Sequence, residues 1–117
     1  MTAETEELIH QAYMAFNARN IDAVLDLLHP DVLWANGWEG GYVKGHKELK
    51  EYWKRQWRDV NPMAYPVAIK EDVDGTIEVH IRQIAKDVQG KILFDGVVKH
   101  IYTLENDKIT SMEIDTV

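Results

Sequence analysis

The apolar residues of this chain repeat with a helical period up to Asn61-Pro62 and with a period of two beyond it. A segment that buries every third or fourth residue cannot also bury every second one. The switch therefore divides the chain into a mostly helical first half and an all-strand second half. In the first half, Leu8, Ile9, Ala12, Tyr13 and Phe16 mark one face of a helix over residues 3–18, with Glu4, Glu6 and Glu7 at its positive end. Asn20 is placed to cap a short second helix over residues 21–28, which Pro30 ends. A strand follows over residues 32–36, then a loop over 37–45 holding Gly37, Gly40, Gly41 and Gly45. A third helix over 46–57 carries Leu49, Trp53 and Trp57 on one stripe. The second half reads as strands over 63–73, 76–87, 91–105 and 108–116, joined by Asp74-Gly75, Gln89-Gly90 and Asn106-Asp107 turns. The order α-α-β-α-β-β-β-β defines an α+β fold: three helices on one face of a curved, mostly antiparallel sheet.

The 117 residues make one domain, 1–117, large enough to bury a core. With no cysteine, disulfides and thiolate chemistry are excluded. A formal net charge of −7 repels polyanions, so no nucleic-acid partner is expected. Lys44, Lys47, Lys50, Lys54, Arg55 and Arg58 gather on the third helix, either as a solvated face or as an anion-binding surface. The acidic N-terminus lacks the basic and apolar regions of a secretory signal, and no apolar run approaches the roughly 20 residues that cross a bilayer. The expectation is a cytoplasmic protein with no membrane partner. The five histidines show no metal-ligand spacing, and phosphate-loop and dinucleotide fingerprints are missing, so no metal and no cofactor is expected.

All four tryptophans, Trp34, Trp38, Trp53 and Trp57, fall in the strand–loop–helix segment, with Tyr13 and Tyr42 completing an aromatic set. Each ring taken singly suits core packing; the set suggests the wall of an apolar pocket for a small apolar or aromatic molecule.

The chain resembles the nuclear transport factor 2-like superfamily, the cone-shaped α+β fold of ketosteroid isomerases and SnoaL-like polyketide cyclases. The resemblance rests on residues 13–22 (YMAFNARNID), on His29-Pro30-Asp31-Val32 and on residues 100–109 (HIYTLENDKI). Residues 39–46 (EGGYVKGH) and 52–57 (YWKRQW) resemble a bacterial SnoaL-like subgroup. The resemblance implies a pocket under the sheet. In ketosteroid isomerases that pocket holds an aspartate base on the first strand and an oxyanion hole of a tyrosine and a protonated aspartate. Here the base position falls on Asn36, which takes no proton at neutral pH. The tyrosine position falls on Ala12, next to Tyr13, and the oxyanion aspartate falls on Lys99 or His100. Steroid isomerisation by that route is therefore not expected.

His100 shares a strand face with Tyr102 and Leu104. If that face is concave, its imidazole is a general acid or base; otherwise it is satisfied by a neighbouring strand or a subunit contact. Asn36 either orients a substrate or bonds the loop that follows. Asp95 could orient His100 only if a bulge near Gly96 reversed its parity. Gln83, among Val79, Ile81 and Ala85, is a pocket hydrogen-bonder or a surface residue. The expected ligand-binding set is Tyr13, Trp34, Trp38, Trp53, Trp57, Gln83 and Tyr102. Two functions compete: cofactor-free proton transfer (isomerisation, cyclisation or dehydration) through His100, or a non-catalytic binding or dimerisation module. The opposite sheet face, with His80, Arg82, Val97, Lys99, Ile101 and Thr103, is the expected homodimer contact.

Overall fold

The computed structural model describes residues 1–116. Three helices and six strands follow in the order α1 (Ala3–Asn17), α2 (Ile21–Leu25), β1 (Leu28–Ala35), β2 (Tyr42–Lys44), α3 (Gly45–Asp59), β3 (Val60–Glu71), β4 (Ile77–Asp87), β5 (Ile92–Glu105) and β6 (Lys108–Asp115). The helix starts follow from local chemistry. The Thr2 hydroxyl accepts from the Thr5 N–H at 3.1 Å, and the Asn20 side chain accepts from the Ala23 N–H at 3.2 Å, as its expected capping role requires.

The strands form one sheet in the order β2-β1-β6-β5-β4-β3. β3 to β6 are an antiparallel meander, and β6 lies parallel to β1. Three sequence expectations change. The second helix stops at Leu25 instead of Leu28, and the chain is already a strand at Leu28, which pairs with Ile109 of β6. Pro30 is thus inside β1 and not a helix stop. The glycine-rich loop contains an unexpected strand, β2, in which Val43 pairs with Trp34. β3 begins at Val60 and runs through Pro62 and Pro66, with a register shift beyond Pro66. Prolines cannot donate to a central ladder, but β3 is the sheet edge, where they are tolerated. That edge is partly covered: Asn17, at the end of α1, donates to the Ala64 carbonyl at 2.7 Å and accepts from its N–H at 2.9 Å.

The helices pack on one face of the sheet. Ile9 and Ala12 of α1 and Leu49 and Trp53 of α3 meet Val79, Ile81, Ile109 and Met112, all of them buried. Arg19, at positive φ after α1, lies 4.9 Å over the Trp57 ring and donates to the Pro62 carbonyl, tying both helix ends to β3. The core does not fill all the space between helices and sheet.

Candidate functional site

A cavity of about 410 Å³ lies between α1, α3 and the concave sheet face. Pleating decides which side chains enter it. In β5, Phe94, Val98, His100 and Tyr102 have the same parity and line it; in β4, Gln83 and Ala85 do so. Trp34 of β1 and Trp53 of α3 form aromatic wall, their rings edge-to-face at 5.6 Å. Trp38 and Phe94, 39% and 44% exposed, stand at the open end, whereas Tyr13 and Tyr102, 6% and 1% exposed, close the inner end.

The inner end holds a chain of three polar side chains. The Tyr13 hydroxyl lies 2.7 Å from His100 Nδ1 and 2.5 Å from the Tyr102 hydroxyl. The Tyr13 ring also stacks on the imidazole, with centroids 6.0 Å apart and planes 20° apart. No group among the described residues bonds His100 Nε2, which is left to the cavity. Burial disfavours the charged imidazole and lowers the His100 pKa to about 4, so the ring is neutral at physiological pH. Burial likewise raises both tyrosine pKa values, keeping the hydroxyls protonated. The inner end is thus an uncharged hydrogen-bonding group in an otherwise apolar room.

The other expected site residues separate. Asn36 is buried and committed to its loop: its amide N–H donates to Glu39 Oε1 at 3.0 Å, and its oxygen accepts from the backbone N–H of Trp38 at 3.1 Å and of Glu39 at 2.7 Å. Glu39 is also held by Arg55, 2.9 Å away. The Arg55 and Asn36 hydrogen bonds lower the Glu39 carboxyl pKa. Of the two readings of Asn36, the geometry gives loop bonding, and its side chain does not line the cavity as a catalytic donor would. Asp95 is on the convex face, 3.2 Å from Arg82. The register shift of β5 falls between Ile92 and Phe94, before Asp95 and not at Gly96, so alternation runs unbroken to His100 and keeps the two apart. Trp57 does not line the cavity. It stacks on Trp53 at 5.9 Å, behind the wall, with its buried Nε1 unbonded among the described residues. Tyr42 of the aromatic set turns outward to Glu113, 2.6 Å from its carboxylate. Tyr13, Trp34, Trp38, Trp53, Gln83, His100 and Tyr102 do meet around the cavity. Sequence reasoning missed Phe16, one helical turn after Tyr13, and Phe94, which shares parity with His100; helix periodicity and strand alternation pointed to both. Among the described residues no cluster of three metal-ligating side chains occurs, and no helix is long and apolar enough to cross a membrane.

A curved sheet and three helices closing on an aromatic cavity define a protein of the nuclear transport factor 2-like class. The chain belongs to the SnoaL-like domain family, whose profile matches residues 9–112. A protein of unknown function from Burkholderia pseudomallei, described as NTF2-like, superposes with a TM-score of 0.86 at 21% identity, covering 99% of this chain and 92% of its own. TerC, co-crystallised with polyporic acid, superposes with a TM-score of 0.85 at 24% identity, covering 98% and 92%. Rv0760c from Mycobacterium tuberculosis, solved with estradiol-17β-hemisuccinate, gives 0.81 at 11% identity, covering 97% and 93%. No curated protein matches the sequence. These superpositions establish the shared fold.

Proposed function

We propose that this protein binds a small, largely apolar, ring-containing molecule in the cavity and catalyses a cofactor-free proton transfer on it, with His100 Nε2 as the general base. The observation that carries the reading is the neutral His100, anchored through Nδ1 to Tyr13, at the inner end of an aromatic-walled cavity. An imidazole held neutral by its surroundings has a lone pair available at physiological pH, which a base requires. Aromatic walls favour a planar apolar body, and the three polar groups favour one oxygen function at its buried end. Two proteins of the same fold bound estradiol-17β-hemisuccinate and polyporic acid, ring compounds bearing oxygen functions, which agrees with this ligand chemistry. Enolisation-driven isomerisation, aldol-type cyclisation and β-elimination of water are the reactions that such a proton removal starts.

A ligand in the cavity will quench the fluorescence of Trp34, Trp38 and Trp53 saturably. With a substrate found by that screen, His100→Ala is expected to lower kcat by about 100-fold or more, the usual contribution of a positioned base. Full activity in the variant removes His100 from the mechanism. Saturable binding without turnover by the unaltered protein favours a non-catalytic binding module instead.

The same reading includes a homodimer through the convex face. Among the described residues no helix covers that face, and Val97, Tyr65 and Leu33 are 47%, 44% and 38% exposed on it. Beside them Glu78 is buried among Lys70 at 3.2 Å, Lys99 at 3.3 Å and His80 at 3.2 Å. Burial raises the Glu78 carboxyl pKa, but these three partners outweigh it and leave it below its ordinary value. The expected result is a dimer in sedimentation velocity at micromolar concentration that Val97→Asp converts to monomer. A monomeric parent protein contradicts the assignment.

A further inference from the structure

The three-membered chain at the inner end of the cavity has a property that none of its members has alone: the same two hydrogen bonds can run in either of two opposite directions. In one, Tyr102 O–H donates to Tyr13, Tyr13 O–H donates to His100 Nδ1, and the imidazole proton sits on Nε2, facing the cavity. In the other, His100 Nδ1–H donates to Tyr13, Tyr13 O–H donates to Tyr102, and Tyr102 O–H is free for the cavity while Nε2 presents a lone pair. Both arrangements are neutral and keep the two links of 2.7 and 2.5 Å intact. The two ends, His100 and Tyr102, both line the cavity, with ring centroids 6.3 Å apart. A ligand therefore always meets one donor and one acceptor, and the two exchange places when the chain reverses.

We propose that Tyr102, Tyr13 and His100 form a reversible proton relay that interconverts the keto and enol forms of a neutral carbonyl ligand. This rests on the proton-transfer reading above and extends it, because it assigns the route by which the proton returns. The step balances. A C–H bond beside the ligand carbonyl breaks and its proton goes to His100 Nε2. The C–H electron pair forms the carbon–carbon double bond, and the carbonyl π pair forms the new O–H bond. The Nδ1 proton passes to Tyr13, the Tyr13 proton to Tyr102, and the Tyr102 proton to the ligand oxygen. No residue ends charged and no co-reactant is used. The reverse reaction, or water bridging the two ends after product leaves, restores the starting direction. Tyr102 and His100 share no hydrogen bond with each other; Tyr13, from α1, bonds both and couples them. An inner end built this way prefers neutral ligands with an enolisable carbonyl over carboxylates, because it offers no compensating charge.

Two measurements test it. Nitrogen-15 NMR of the unliganded protein at neutral pH is expected to show His100 neutral, with both nitrogens at resonance positions averaged over the two tautomers. Tyr102→Phe removes the acceptor of the Tyr13 proton in the second direction and is expected to fix the imidazole proton on Nε2. A single tautomer that Tyr102→Phe leaves unmoved overturns the relay. This readout needs no ligand. The second measurement follows hydrogen–deuterium exchange at the benzylic carbon of β-tetralone, a neutral bicyclic ketone with one aromatic ring and an acidic C–H beside its carbonyl. The unaltered protein is expected to speed this exchange. Tyr13→Phe, its fold checked by thermal melting, is expected to slow it by about 100-fold while the β-tetralone Kd from tryptophan quenching stays within a few-fold. Exchange at the parent rate in Tyr13→Phe but not in His100→Gln overturns the relay and leaves His100 as the base. Bound β-tetralone that the parent protein fails to exchange counts against the base as well, and the relay falls with it.

Discussion

Replacing Trp53 with alanine is expected to lower the unfolding free energy by about 3–5 kcal/mol, the usual cost of deleting a large buried aromatic. Trp53 is 2% exposed and joins three elements. It stacks on Trp57 of its own helix at 5.9 Å, meets Phe16 of α1 edge-to-face at 5.8 Å and meets Trp34 of β1 at 5.6 Å. The loss is a large part of the roughly 5–15 kcal/mol that holds a domain of this size together. Trp38→Ala should change stability far less, because that ring is 39% exposed at the rim. Urea unfolding midpoints of the two variants measure the contrast. A loss below about 1 kcal/mol for Trp53→Ala would mean that its ring mainly borders empty cavity, since a well-packed large side chain costs several times more to delete.

Acid is expected to destabilise the protein through His100 before any carboxylate matters. The unfolded imidazole takes up its proton near 6.5, and burial holds that uptake to about 4 in the folded state. Between those values the unfolded chain binds the extra proton, so stability is complete above 6.5 and falls with decreasing pH through the window. Each pH unit between the two values corresponds to about 1.4 kcal/mol, so the whole window carries about 3 kcal/mol. The depressed carboxylates Glu39 and Glu78 lose most of their contribution below their ordinary value of 4.5. Between pH 7 and pH 4.5 the imidazole is therefore the main contributor to the loss in urea unfolding. The parent protein is expected to lose about 2–3 kcal/mol over that interval, and His100→Gln, which does not titrate, is expected to lose much less. Equal losses in both would show that His100 is protonated as readily in the fold as in the open chain.

Periodicity made most of the helices and the four-stranded meander legible, because both depend on local spacing. The end of α2 and the start of β1 were not legible, because Leu28 is an apolar residue that suits either element; Ile109, 81 positions away, decides for strand. β2 was hidden because three residues between glycines carry too little pattern, and only the neighbouring edge of β1 makes them a strand. The aromatic set split for a similar reason. Trp34 and Tyr42 lie on pairing strands, yet Trp34 faces in and Tyr42 faces out, as the parity of an unforeseen strand dictates. The shared parity of His100 and Tyr102 was readable from alternation alone. That they meet Tyr13 was not, because 87 residues separate Tyr13 from His100 and only the packing of α1 against the concave face brings them together.

Local spacing is enough to specify the α+β class, the order of most elements and which side chains could share a strand face, since helix and strand periods are properties of neighbouring residues. Tertiary structure alone decided that the concave face is the one bearing His100, that Asn36 serves its loop and Asp95 the opposite face, and that two tyrosines and a histidine form one hydrogen-bonded chain. Those outcomes depend on sheet register, strand order and helix docking, which arise from contacts between residues far apart in the chain and leave no trace in local spacing.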